Sequence, residues 1–267
     1  MNTSYLARDE GRLAYSVAGD GPLVVLLHGM GDLPSVYRSA VAPLVEAGFR
    51  VAALHSRGHG ESDATFARYD DLALASDALA LIAELGGGPA LIVGSSMGAA
   101  AAVIAAADQP SVVAGIVLLG PWVRDRPGRP VLSSVMRALL LRPWGPAAWR
   151  SYYRSLYPTR PPADLDAHVA EVSRSLRAKW RAFQRTATTS HTPARDRLAR
   201  VGAPTLVVMG TKDRDWPDPS AEARFVASAL HGELLLVEGA GHYPMAEYPE
   251  VVTPALVAFA QRVLARG

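Results

Sequence analysis

Residues 90–107 read ALIVGSSMGAAAAVIAAA. A run of Leu and β-branched residues from Ala90 to Gly94 passes directly into an Ala-rich stretch from Met97 to Ala107. The first part has no polar alternation and suits a strand buried on both faces, whereas the Ala-rich part suits a helix. At their junction, Gly94-Ser95-Ser96-Met97-Gly98 is a G-x-S-x-G match in the strand–turn–helix context that this motif requires. So sharp a turn needs small flanking residues because its central backbone is strained, and it lifts the Ser96 hydroxyl to the carboxyl edge of the sheet. The helix N-terminus beneath favours developing negative charge. In isolation the same letters also describe a small-residue turn that lets strand and helix pack closely, so the rest of the chain must decide.

Outward from this junction, short apolar runs alternate with longer helical patterns. The strands expected are Ser4 to Arg8, Arg12 to Val17, Leu23 to His28, Arg50 to His55, Ala90 to Gly94, Ala114 to Leu119, Thr205 to Met209 and Glu233 to Val237. Helices are expected at about Val36 to Ala47, Leu72 to Leu85, Met97 to Ala107, Ala221 to Ala229 and Val251 to Leu264. The first two strands are joined by Asp9-Glu10-Gly11 as an antiparallel hairpin. The alternation predicts an α/β fold with an eight-stranded, mostly parallel sheet and flanking helices. From Trp122 to Arg200 the breaks at Pro127 to Pro130 and Tyr157 to Pro162 divide several helices with no convincing strand. The expected organisation is therefore a core of residues 1–121 and 201–267, with residues 122–200 inserted as a helical lid.

Three further segments carry chemistry. His28-Gly29-Met30-Gly31 closes the third strand, where the Met30 N–H together with that of Met97 makes a two-donor oxyanion hole. His28 itself reads as a turn-shaping residue. Gly239-Ala240-Gly241-His242 ends the last strand and offers His242 as a base, whose ordinary pKa near neutrality suits taking and returning a proton. Gly210-Thr211-Lys212-Asp213-Arg214-Asp215 follows the penultimate strand; Asp213 is the expected acid orienting His242, and Asp215 the fallback. Whichever of the two is not the acid reads as an N-cap or turn aspartate.

With Ser96, Asp213 and His242 in that chain order, the sequence resembles the α/β-hydrolase superfamily from about residue 3 to the C-terminus, the insertion aside. Arg57-Gly58-His59-Gly60-Glu61-Ser62 resembles that family's RGxGxS turn, although His55 stands where the family usually has aspartate. A serine at the elbow disfavours the carboxylate-nucleophile chemistries of this fold and favours an acyl-enzyme route. The resemblance thus implies a serine hydrolase, with a carboxylic ester or lactone of a fairly hydrophobic small molecule as leading substrate. A thioesterase or cyclase on acyl-carrier or CoA thioesters, a C–C bond hydrolase and a non-catalytic ligand receptor are the alternatives on the same fold.

Composition narrows the field further. The chain has 267 residues and no cysteine, which excludes disulfides, thiolate metal sites and a cysteine nucleophile. HExxH, a Walker loop and a helix-opening GxGxxG are also missing, so neither a metal nor an organic cofactor is expected. A formal net charge of +2 gives no reason to expect nucleic acid. The N-terminal residues suggest no signal or anchor, and a cytoplasmic protein without a membrane association is expected. Charge is unevenly spread, however: residues 122–200 carry a net +11. Arg174, Arg177, Arg181 and Arg185 at helical spacing suggest either a solvated basic face or a stripe attracting an anionic substrate or an acidic acyl carrier protein. Trp122, Trp144, Trp149, Tyr152, Tyr153, Tyr157, Trp180 and Phe183 in the same segment either roof an apolar pocket or pin the helices to the core.

Overall fold

The computed structural model describes residues 3–126, 140–141 and 143–264. Its eight strands are β1 (Thr3–Arg8), β2 (Gly11–Ala18), β3 (Leu23–Leu27), β4 (Arg50–Leu54), β5 (Ala90–Ser95), β6 (Val113–Leu119), β7 (Thr205–Gly210) and β8 (Glu233–Val237). They form one sheet in the order β1-β2-β4-β3-β5-β6-β7-β8. β1 and β2 form the expected hairpin, with Thr3 opposite Ser16, and β2 is also antiparallel to β4. Every later pairing is parallel.

The connections are α1 (Arg38–Glu46), α2 (Asp71–Glu84) and α3 (Met97–Asp108), then α4 (Gly145–Arg154), α5 (Leu165–Ala178), α6 (Trp180–Thr186) and α7 (Thr192–Arg195) between β6 and β7. α8 (Pro219–Ala229), α9 (Pro244–Glu247) and α10 (Pro249–Leu264) complete the chain. No strand occurs among the described residues between β6 and β7, and the Tyr157–Pro162 break separates α4 from α5 as expected. The predicted break at Pro127 to Pro130 lies outside the described residues. α8 starts two residues before the pattern suggested because the Asp218 side chain accepts from the Ala221 N–H at 2.9 Å and caps it.

Alternation along the central strands divides the core between two layers. Ile92, Ile116 and Leu118 pack with α2, α3 and α8, whereas Leu91, Val93, Val117 and Leu119 pack with α1 and α10. Trp149, Tyr153, Tyr157, Trp180 and Phe183 are buried in the second layer, so these five rings pin the β6–β7 helices to the core. Trp144 is 54% exposed.

The strand order reverses between β3 and β5, neighbours that the chain reaches by stepping first to β4 and then crossing back. In open α/β sheets that switch point, at the carboxyl ends of the strands, is where ligand-binding loops meet. Here the loops that leave β3, β5, β7 and β8 are those bearing Met30, Ser96, Asp213 and His242.

Candidate active site

Ser96 joins β5 to α3 at φ 53° and ψ −119°, a left-handed conformation that an L-residue adopts only when its surroundings enforce it. Its N–H donates to Leu119 O at 3.0 Å and its carbonyl accepts from the Ala99 N–H at 3.0 Å. The flanking glycines are required by contact: a Cβ on Gly94 would stand 2.2 Å from Gly98 O, and one on Gly98 only 2.3 Å from Leu27 O. Helix α3 can therefore drop onto the sheet with its N-terminus beneath Ser96. Every residue of α3 from Met97 to Ala107 is buried. As the first residue of α3, Met97 has an N–H without an intrahelical acceptor.

The loop after β3 lies against this turn, since a Cβ on Gly29 would meet the Ser96 Cβ at 2.9 Å. Two buried histidines hold it. His28 Nδ1 donates to Gly29 O at 2.7 Å while its Nε2 accepts from the Ser56 N–H at 3.0 Å. His59 Nδ1 donates to Arg57 O at 2.9 Å, and its Nε2 accepts from the Gly31 N–H at 3.0 Å. Each ring uses one nitrogen as donor and the other as acceptor, so each must be neutral. Burial pushes His28 down to about 3 and His59 down to about 4. From α4, Trp149 Nε1 donates to Gly31 O at 3.2 Å. Met30 is thus fixed between a residue tied to the β4 loop and one tied to the β6–β7 helices.

The Arg57–Ser62 turn earns its arginine through α2: Arg57 makes a two-pronged contact with the fully buried Asp77 at 2.7 and 2.8 Å, and Arg8 reaches the same carboxylate at 3.2 Å. His55 has a structural part. Its carbonyl accepts from Ser62 Oγ at 2.6 Å, and its ring fills the space beside Gly60, where a Cβ would stand 1.9 Å from Nδ1.

His242 is buried, and its Nδ1 donates to Asp213 Oδ2 at 2.7 Å. Its backbone N–H donates to Leu156 O at 3.0 Å, and Gly120, just past β6, lies against the ring and leaves no room for a side chain. β6 thereby holds both ends of the arrangement, since Leu119 receives the Ser96 N–H. Asp215 lies in a turn, as one reading allowed, but its side chain caps no helix and is directed to His242 and Tyr152. Its side chain is 10% exposed, and Oδ2 approaches His242 Nδ1 to 3.4 Å while its N–H donates to Asp213 Oδ1 at 2.9 Å. The Tyr152 hydroxyl of α4 donates to Asp215 Oδ1. Burial opposes the imidazolium, but Asp213 and Asp215 outweigh it and hold His242 up at about 9. Burial, reinforced by Asp213, raises Asp215 above the usual carboxylate range.

Asp213, Asp215 and His242 are the only group of metal-capable side chains this dense among the described residues. His242 Nδ1 is committed to Asp213 and each carboxylate to a donor within the loop or α4, so we assign no metal to them. The five residues singled out from sequence, Met30, Ser96, Met97, Asp213 and His242, all lie on loops or helix starts at the same sheet edge. Sequence reasoning missed the parts played by His59, Trp149, Tyr152 and Leu156. His59 stood inside the RGHGES turn and Trp149 and Tyr152 in the aromatic group of residues 122–200, whereas a backbone carbonyl such as that of Leu156 leaves no mark in the letters.

Residues 24–255 match the Alpha/beta hydrolase family, and the chain belongs to it. It is 30% identical to 2-(acetamidomethylene)succinate hydrolase of Mesorhizobium japonicum, the comparison covering 94% of this chain and 93% of that protein. It is also 30% identical to the pimeloyl-[acyl-carrier protein] methyl ester esterase of Xanthomonas oryzae pv. oryzae, over 92% of this chain and 98% of that one. Among solved structures the enol-lactonase of Burkholderia xenovorans LB400 superposes with a TM-score of 0.82 at 24% identity, covering 96% of this chain and 99% of that one; it shares the fold. No described helix is long and apolar enough to cross a membrane.

Proposed function

We propose that the protein hydrolyses a carboxylic ester or lactone of a fairly hydrophobic small molecule by an acyl-enzyme route. The observation that carries this reading is the buried His242–Asp213 hydrogen bond at 2.7 Å, set across the end of β6 from a serine held at a strained strand–helix turn. In this reading Ser96 gives its proton to His242 Nε2 as its oxygen attacks the ester carbonyl. The tetrahedral oxyanion is received by the N–H groups of Met30 and Met97, each donor of this kind being worth about 3 to 4 kcal/mol. Collapse expels the alkoxide, which takes the proton from His242. Water, deprotonated by the same imidazole, then attacks the acyl-Ser96 carbonyl and releases the acid and the free serine. Once His242, held up at about 9, has given up its second proton, Asp213 fixes the tautomer that leaves Nε2 free to accept.

In the same reading residues 122–200 form a lid over a core of residues 1–121 and 201–267. A thioester or carrier-bound substrate is a second reading, favoured by exposed arginines in this segment, Arg150, Arg174 and Arg181, and by the carrier-linked substrate in the name of the Xanthomonas relative. The test is a p-nitrophenyl ester chain-length series run beside matched acyl-CoA thioesters, with Ser96→Ala as background. Ester turnover that the substitution abolishes supports the proposal. Preference for thioesters that weakens with salt supports the second reading, and turnover that survives in Ser96→Ala overturns both.

A further inference from the structure

We propose that Asp215 is a second carboxylate acting on His242, a positioning residue seated by Tyr152, so that helix α4 takes part in fixing the charge on the base. The inference rests on His242 being the base proposed above. Asp213 already satisfies the Nδ1 proton, so a second acid 3.4 Å from the same nitrogen is not needed to choose the tautomer. It is also costly to bury, and burial on this scale persists where partners hold the group. The Tyr152 hydroxyl is such a partner, donating to Asp215 Oδ1, while the Asp215 backbone N–H, donated to Asp213 Oδ1 at 2.9 Å, locks both acids into one turn.

The groups facing His242 from each packed element are few. Asp213 and Asp215 come from the loop after β7, Tyr243 from its own loop and Asp32, at longer range, from the loop after β3. Gly120, past β6, brings no charge, and from α4 comes Tyr152, with the Arg214 guanidinium 5.8 Å from its ring. Of these, Asp32 is held by Tyr153 of α4 and His168 of α5, and Asp215, the acid besides Asp213 that comes within ion-pair range of His242 Nδ1, is held by Tyr152 of α4. Trp149, one turn earlier on α4, donates to Gly31 O. One helix therefore touches both the loop proposed to receive the oxyanion and the loop that holds the base.

When Ser96 transfers its proton to Nε2, the imidazolium faces two carboxylates instead of one. That favours the charged intermediate, and it also makes the resting base harder to deprotonate. The Tyr152 hydroxyl favours the ionised form of Asp215, so releasing it lets Asp215 take up a proton and withdraw its influence.

The test is the pH dependence of kcat/KM, together with a 15N-imidazole NMR titration of His242, in the natural protein, Asp215→Asn, Tyr152→Phe and the double variant. Removing an opposite charge at this range is expected to move the acid limb and the NMR midpoint to lower pH by about 1 to 3 units in Asp215→Asn. Tyr152→Phe should shift both in the same direction by less, and the double variant should match Asp215→Asn alone. Unmoved midpoints in Asp215→Asn overturn the proposal, as do shifts that simply add in the double variant. If Asp215→Asn does not fold, an unmoved titration in Tyr152→Phe overturns it. A moved NMR midpoint with an unmoved rate profile supports the Asp215 contact and instead overturns His242 as the base.

Discussion

His59→Gln isolates the charge-free histidine pair that holds the loop at Met30. Glutamine can still accept the Gly31 N–H through Oε1 but cannot titrate. In the folded protein burial brings His59 down to about 4, against an ordinary value of 6.5, and the ring is neutral at pH 5. The unfolded chain takes up a proton on that residue as pH falls through 6.5, so the native state loses stability from there downward until the folded value is reached. Between pH 7 and pH 5 the mismatch spans about 1.5 pH units, worth about 2 kcal/mol at about 1.36 kcal/mol per unit. His28, brought down to about 3, adds a similar loss over this window. His242, held up at about 9, works in the opposite direction by less than about 1 kcal/mol, because its folded form is already protonated throughout. The assay is urea unfolding of the natural protein and His59→Gln at pH 7 and pH 5. The variant is expected to lose about 2 kcal/mol less on acidification. Parallel pH dependences in the two proteins would refute the reasoning that His59 is a neutral, loop-fixing group.

Asp213→Asn should lower kcat by about 10³ to 10⁴ if Asp213 sets the His242 tautomer, measured on the best ester of the series. Trp149→Phe keeps an aromatic ring but removes the N–H that reaches Gly31 O; a neutral hydrogen bond of about 1 kcal/mol predicts about a fivefold fall in kcat with KM little changed. Gly98→Ala places a methyl 2.3 Å from Leu27 O and should destabilise by about 1 to 3 kcal/mol, read as a lower urea midpoint.

What was legible in the sequence was what local chemistry specifies. The G-x-S-x-G turn needs two glycines for reasons of contact, and those same glycines mark it in the letters. Parallel strands buried on both faces announce themselves as unbroken apolar runs. Asp215 was legible as the fallback acid for His242 but not as a second carboxylate beside it together with Asp213, because loop spacing does not fix the directions of two side chains two residues apart. Tyr152 and Trp149 looked like members of an aromatic group, and nothing in helical spacing shows which ring sends its polar atom down to which loop. The basic stripe illustrates the opposite error. Arg174 and Arg177 lie on α5 and Arg181 and Arg185 on α6, with the helix broken at Lys179, and Arg185 bends back to donate to Phe66 O and Ala67 O. Periodicity in the letters assumed one continuous helix that the backbone does not form.

The hydrogen bond from the His242 N–H to Leu156 O links positions 86 apart in the chain, and Glu247 similarly accepts from the Thr159 and Arg160 N–H groups, 88 and 87 positions away. Contacts of such sequence separation carry a loop-closure cost that the nearer strand–helix pairings do not. In a refolding experiment the helices and the nearer pairings, β1 with β2, β3 with β4 and β5 with β6, can form on more local contacts, while the imidazole has no seat until the middle and the end of the chain have met. Recovery of secondary structure should therefore run ahead of recovery of activity, and the interval between them is a direct clock for the docking of α4 and the segment that follows it.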